Sequence, residues 1–434
     1  DEPGAGADLR RARQLTERFP DNWFGWFQYA DRLHHWGPML GHPREESRKA
    51  FEEALGLNPK VIPAWEHLAQ SVLGDHDTLA STRVLKALED LHSGPALQKE
   101  WGSDQMLQFR LLDRLQRADS TGARVLEDSV ARDLARNRRG LHHNPGWFGF
   151  PASDVRLYRR MARLGFLPEG AALQTAYAWA ARGAWDSALV SLDHYVEGAG
   201  AADTLAPLSQ YRLAALGAWV GALPAAEASA RREAAHRAFA GLGAFERAEL
   251  ALVDGIVAVS RRDRPALAAA RRAAQASGDS IRGVLDQTLA AFDRFLAGDS
   301  RQAGKALATL EWRQAEDYYP HNYSRILTPI ARLAASEWLL ASGDTATSTR
   351  LLTWVEADGG PGGWGKFLLK GLVELQRARI EDARGHPALA RAHYRQFLRR
   401  YDMPMPTNRH LVDEARQALA RLSGQDDPSR DRAR

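Results

Sequence analysis

Cysteine is absent from all 434 residues, which removes disulfides, thiol catalysis, iron–sulfur ligation and cysteine zinc sites together. Lysine is nearly absent: 7 of the 58 basic side chains are lysine and the rest arginine, so the basic groups keep their charge at any working pH. An excess of either sign is missing too, since 58 basic against 54 acidic residues leave +4. That balance gives no reason to expect nucleic acid or a charged membrane surface. No stretch of 18 apolar residues free of charge occurs, so no transmembrane helix and no membrane insertion are expected. The opening, DEPGAGADLRRAR, has neither an initiator methionine nor a signal-peptide apolar region, and the chain reads as a fragment or a processed product. It reads as soluble, with the cytoplasm favoured over an extracytoplasmic compartment.

Strand signals are also scarce. Valine and isoleucine are few, strict alternation is rare, and long Ala/Leu/Arg/Glu stretches carry apolar residues at i, i+3, i+4 and i+7. In 324–341, SRILTPIARLAASEWLLA, the stripe is Ile326, Ile330, Leu333, Trp338 and Leu340 or Ala341. Breaks containing Gly, Asp or Pro recur every 15 to 20 residues. The pattern predicts an all-α chain of helix hairpins.

Two units repeat near the N-terminus: FPDNWFGWFQYADRL…REESRKAFEEALGLNPK, then VIPAWEHLAQSVLGDHDTLASTRVLKALEDL. Trp26, Tyr29, Ala30 and Leu33 of the first are matched at the same spacing by Trp65, Leu68, Ala69 and Val72 of the second, and Phe51, Ala54 and Pro59 follow on the first unit's second helix. A small residue where two backbones cross, large ones on either side and a proline stop are what a closely packed helix pair requires. These positions resemble the tetratricopeptide repeat (TPR) family. Weaker copies continue, most with a Gly-x-x-x-x-small turn, Gly183 to Ala188, Gly221 to Ala226, Gly298 to Ala303, Gly343 to Ser348 and Gly385 to Ala390; the copy at Arg262–Leu267 lacks the glycine. The resemblance implies a right-handed α–α superhelix, a solenoid of about nine or ten TPR-like hairpins. It covers an N-terminal block 1–136 and a C-terminal block 153–423 ending in a capping helix at 409–422. An irregular segment, 137–152, separates the blocks, and the mixed-charge tail 424–434 reads as disordered.

Signatures of catalysis are missing. There is no kinase loop set, no phosphate-binding G-x-x-x-x-G-K-[ST] and no G-x-S-x-G. The histidine pairs His34/His35 and His142/His143 are adjacent, which points their rings apart on a helix, and neither has H-E-x-x-H spacing. No metal and no cofactor is expected. The arginine pairs, among them Arg231/Arg232 and Arg271/Arg272, read as a solvated convex face and not as a phosphate track.

Two surfaces are candidates for binding. In the superhelix that the resemblance implies, Phe27, Asp31, Glu66 and Gln70 face the concave groove. An aromatic and two acids there replace the Lys, Arg and Asn with which many TPR domains hold a partner's C-terminal carboxylate, so an apolar or basic helix or an extended peptide fits better. The second surface is 137–152, where Trp147, Phe148 and Phe150 lie beside Arg138, Arg139, His142 and His143, including types enriched at interface hot spots. The same aromatics could instead tuck back as a plug between the blocks. The resulting expectation is a noncatalytic scaffold or signal-receiving module for a protein or peptide partner, resembling the TPR regions joined to bacterial serine/threonine kinases and transcriptional regulators. The alternatives are a hydrolase-like enzyme with a site between the two blocks, and a structural subunit of a larger assembly.

Overall fold

The computed structural model describes residues 4–92, 103–138, 140–166, 171–199, 205–239, 243–317, 327–356 and 363–423. Arg139 and the tail 424–434 lie outside the described residues. Among the described residues the chain is all-α and has no strand. It divides into two compact units. Unit 1 comprises Asp1–Ala172, Glu311–Asn322 and Thr353–Gly363; unit 2 comprises Leu173–Leu310, Tyr323–Leu352 and Trp364–Arg434.

In unit 1, helix α1 (Ala5–Arg18) precedes three hairpins: α2 (Trp23–His35) with α3 (Arg44–Leu57), α4 (Ile62–Gly74) with α5 (Thr78–His92), and α6 (Ser103–Gln116) with α7 (Ser120–Asn137). Helix α8 (Pro151–Arg163) comes next. Six more hairpins, mostly in unit 2, pair α9 (Ala171–Ala181) with α10 (Trp185–Ala199), α11 (Leu205–Trp219) with α12 (Ala225–Phe239), α13 (Ala244–Ser260) with α14 (Arg264–Ala276), α15 (Arg282–Leu296) with α16 (Ser300–Asp317), α17 (Leu327–Ala341) with α18 (Thr345–Glu356), and α19 (Gly363–Ala383) with α20 (Pro387–Arg400). Helix α21 (Arg409–Ser423) ends the described chain. The nine hairpins among the described residues agree with the number expected from the repeat spacing.

One turn design joins most hairpins. In the α15–α16 turn Gly298 sits at φ 93°. Its N–H donates to the Phe295 carbonyl at 2.9 Å, and the Asp299 N–H donates to the Arg294 carbonyl at 3.0 Å. These bonds satisfy the last carbonyls of the first helix, and the Asp299 carboxylate then accepts from the Gln302 N–H at 3.2 Å to start the second. A left-handed residue followed by a capping aspartate thus ends one helix and begins the next. The α13–α14 turn repeats the design without glycine: Arg262 takes φ 53°, and Asp263 caps from the Ala266 N–H at 3.0 Å.

The repeated tryptophans of unit 1 play the same part in both units of the repeat. Trp26 Nε1 donates to the Pro20 carbonyl at 2.8 Å and Trp65 Nε1 to the Pro59 carbonyl at 2.9 Å, six residues back in each case. Ala30 and Ala69 are fully buried beside Phe51, as close helix crossing requires.

Unit 2 contains a long-range return. After α20 the segment 401–408 runs against turns more than 180 residues earlier. The Met403 N–H donates to the Arg182 carbonyl at 2.9 Å and the Met405 N–H to the Gly183 carbonyl at 3.1 Å. Asn408 Nδ2 donates to the Tyr401 hydroxyl at 2.9 Å and to the Val220 carbonyl at 3.3 Å. The Arg182 guanidinium grips Asp402 with two bonds of 2.8 Å. A Cβ on Gly183 would lie 2.8 Å from the Tyr401 ring, so only glycine allows this approach. Helix α21 then lays Val412, Ala415, Ala418 and Leu422 on the apolar surface of α19 and α20.

Several arginine pairs are engaged in ion pairs between neighbouring helices. Arg232 meets Asp254 with bonds of 2.9 and 2.8 Å, Arg231 reaches Asp193 at 3.4 Å, and Arg271 reaches Asp286 at 2.8 Å.

Candidate functional site

Helix α2 is set in register by Asn22, whose side chain accepts from the Phe24 N–H at 3.0 Å. Phe27, Asp31, His34 and His35 then fall at i, i+4, i+7 and i+8, one stripe of the helix. Helix α4 supplies Glu66, His67 and Gln70. Phe27 is half-buried with its ring 6.4 Å from Phe51. Asp31 and Gln70 also keep accessible surface, whereas Glu66 is buried.

The two helices exchange polar contacts across this stripe. His34 Nε2 and Gln70 Oε1 are 3.0 Å apart, and the His34 ring lies flat on His67, centroids 4.4 Å apart at 24°. The His35 ring stands edge-on to both, 5.1 Å from each. Asp31 Oδ1 lies 3.5 Å from His35 Nε2 and 3.4 Å from His67 Nε2, while Arg32 Nη1 lies 3.3 Å from the other carboxylate oxygen. Among the described residues these three, Asp31, His35 and His67, are the one group whose possible metal-ligand atoms all lie within 4.8 Å of one another.

Electrostatics follow from burial and partners. Burial works to raise the Asp31 carboxyl, but the adjacent His35 and His67 imidazoles hold it well below the usual carboxylate range. Burial pushes the His34 imidazole well below its ordinary value, and the neighbouring charges of His67, His35 and Arg44 add to this against the Gln70 hydrogen bond. Burial alone raises Glu66 to about 8, and its Oε1 has no hydrogen-bond partner. Neutral His34 therefore orients His67, and ionised Asp31 receives the two imidazole edges.

The sequence expectation that His34 and His35 point apart is corrected here. Their centroids are 5.1 Å apart, and both meet His67, because α4 packs over the side chains that α2 presents. The sequence carried a usable signal: Asp31 and His35 stand at i, i+4, the spacing that places two ligands on one helix face.

The irregular segment has a different destination. Phe148 is buried in the core of unit 1, and Trp147 and Phe150 pack against that core. His143 is buried flat on Phe109, centroids 4.4 Å apart, and burial lowers it to about 3. Gln108 Oε1 accepts from the N–H groups of His142 and His143, at 3.0 and 2.8 Å. Asn144 Oδ1 accepts from the Tyr158 hydroxyl at 2.8 Å, and Asp154 accepts from the Gly146 N–H at 3.0 Å. The segment fills space inside unit 1 between α4, α6 and α8. Of the residues expected to offer contacts here, Arg138 and His142 are exposed, and Arg139 lies outside the described residues.

Unit 2 holds a second feature, a cavity of about 420 Å³ lined by α11, α13, α15, α17, α19 and the start of α21. Phe292, Phe295 and Trp338 form apolar wall, and Glu337, Arg379 and His410 bring polar groups to it. Glu337 keeps exposed surface in this half-open cavity, and the surrounding protein raises its carboxyl to about 7, with Arg379 acting against the rise. Arg379 is itself held by Glu414 through two bonds of 2.7 Å, and His410 Nδ1 lies 2.8 Å from the Thr407 carbonyl.

Neither a protein-family model nor a curated protein sequence matches the chain. Among solved structures it is similar to the TPR domain of P58(IPK), at 12% identity with 95% of this chain and 93% of that one covered and a TM-score of 0.23. It is also similar to yeast Tom70, at 11% identity, 98% and 97% coverage and a TM-score of 0.37. No helix among the described residues is long and apolar enough to cross a membrane.

Proposed function

We propose that this chain is a protein-interaction module and that the α2–α4 face of unit 1 holds a peptide or a partner protein. One observation carries the reading. Consecutive repeat helices place an aromatic ring (Phe27), a carboxylate (Asp31), an amide (Gln70) and two imidazole edges (His35, His67) side by side, partly open and held by mutual contacts. Pre-set groups of mixed chemistry on rigid helices bind with little ordering cost. The nearby α1–α2 corner adds exposed apolar surface at Leu15, Phe19, Trp23 and Phe24, with the last two rings edge to face at 5.7 Å. The ionised Asp31 favours a partner segment with a cationic or N–H donor group. In this reading the module receives or assembles signals for activities carried elsewhere, as in the family its repeats resemble.

The test is capture of partners from native lysate by the parent chain and by Phe27→Glu/Gln70→Lys, with far-UV circular dichroism to verify helix content. Loss of partners from a folded variant supports the face; retention of every partner overturns it.

A second reading belongs to unit 2. Its cavity is the size of a small-molecule site, and its apolar wall with one carboxyl raised to about 7 suits a small amphipathic molecule bearing a hydrogen-bond donor or a cation. Glu337→Gln should weaken such a molecule's stabilising effect in a thermal-shift screen. A screen in which every hit acts equally on both proteins removes this reading.

A further inference from the structure

The Asp31–His35–His67 cluster is poorly explained as an ordinary ion-pair triad. Both imidazole Nε2 atoms lie beside the same carboxylate oxygen, Asp31 Oδ1, at 3.5 and 3.4 Å. An N–H···O hydrogen bond settles at about 2.7–3.2 Å, and charge assistance shortens it further. The two carboxylate–imidazole separations instead match what one ion shared among the donors imposes. A tetrahedral zinc-class ion with ligands about 2.0–2.1 Å away sets neighbouring donor atoms about 3.3–3.4 Å apart. All three ligand atoms lie within 4.8 Å of one another, and the residues are partly exposed, with side-chain accessibilities of 25% for Asp31, 37% for His35 and 17% for His67.

The surroundings hold the donors in place. Asp31 and His35 stand one helical turn apart on α2, so their relative position is fixed by the backbone. Arg32 occupies the second carboxylate oxygen and leaves Oδ1 for the cluster. His34, anchored on Gln70, stacks on His67 and sets its ring plane. Two imidazoles and one carboxylate are the donor set of zinc, cobalt, nickel and copper; magnesium and calcium prefer oxygen alone.

We propose that Asp31, His35 and His67 bind a divalent transition-metal cation of the zinc class, with a fourth position open to water or to a donor group. The ion joins α2 of one hairpin to α4 of the next. Ion binding requires no partner protein; with the ion in place, Phe27, Gln70 and the open fourth position are what this face still offers to one.

The experiment is titration of the full chain, stripped with chelator, with Zn²⁺ by calorimetry and with Co²⁺ by visible absorption, alongside amide hydrogen exchange. One equivalent of Zn²⁺ should bind, Co²⁺ should give the intense bands of a tetrahedral nitrogen and oxygen site, and exchange should slow in α2 and α4. His35→Gln, His67→Gln and Asp31→Asn should each weaken Zn²⁺ binding beyond the ~10–100-fold that loss of a ligand's hydrogen-bonding partner produces. His386→Gln, a histidine paired with Glu381 in another hairpin, should leave it unchanged. Absence of saturable Zn²⁺ binding by the parent chain overturns the proposal. So does binding that persists equally in the three folded ligand variants, which would place the ion elsewhere. His35 is the most exposed of the three, so its variant keeps the test open if His67→Gln fails to fold.

Discussion

Unit 1 and unit 2 are assembled from similar hairpins, most joined by one turn design, yet they use their first-helix faces differently. In unit 1, α2 and α4 leave Phe27, Asp31, His35, His67 and Gln70 partly open. In unit 2 the corresponding helices converge on a cavity that the chain's own α21 helps to line, and segment 401–408 ties itself to turns near residues 182 and 220. The difference lies in the nonrepetitive chain that each unit carries. The segment after α20 has Tyr401, Asp402 and Asn408, whose hydrogen-bonding groups find Trp185, Arg182 and Val220. Unit 1 uses its own irregular segment in another way, driving Phe148 and His143 into its core and leaving the α2–α4 stripe accessible. Similar repeats thus give an open face or a lined cavity according to where the nonrepetitive segments dock.

The largest expected effect breaks the closure of unit 2. Tyr401 is buried, stacks on Phe397 and joins Trp185 to Asn408 through its hydroxyl. Tyr401→Ala should destabilise unit 2 by roughly 3–4 kcal/mol, as loss of a buried ring with its hydrogen bonds does. Hydrogen exchange should rise in α9–α12 and stay unchanged in α2–α5; equal loosening of both units would contradict the separation.

The next effect is confined to unit 1. Free histidine takes up a proton near 6.5, but buried His143 does so only at about 3. Between those values the unfolded chain binds the extra proton, so stability falls as pH drops from 6.5 toward 3. The contribution is on the order of 5 kcal/mol. His143→Phe, which keeps a ring on Phe109, should flatten this slope in urea unfolding followed by exchange in α6 and α8. An unchanged slope would mean that His143 is not held neutral.

The smallest effects test what the units share. Gly298→Ala places a side chain at φ 93° and should lower stability by about 1 kcal/mol, whereas Arg262→Gly relieves φ 53° and should raise it by a similar amount. Thermal unfolding of the two variants should shift in opposite directions. Asp263→Ala, which removes the cap on Ala266, should cost about 1 kcal/mol.

Much of the fold was legible because it rests on local chemistry. The Trp26/Trp65 and Ala30/Ala69 spacings set the first two hairpins, and the turn glycines marked the later ones. Even the unit without glycine kept its capping Asp263. The candidate site was only half legible. Asp31 and Gln70 were readable from repeat register, and the i, i+4 pair Asp31/His35 lay in view. His67, though, joins them only because α4 packs at a particular rotation on α2, which no spacing within one helix encodes. The destinations of 137–152 and 401–408 were out of reach for a related reason. Each is decided by contacts with distant helices, Phe109 and Tyr158 in one case and the 182 and 220 turns in the other.

The central claim is that partners meet the α2–α4 face of unit 1. A photoreactive residue placed at Phe27, at Gln70 or at Phe295 of the unit 2 cavity, irradiated in native lysate, tests it most directly. The account predicts the same protein adduct from positions 27 and 70 and none from 295; adducts from 295 with none from 27 and 70 would contradict it.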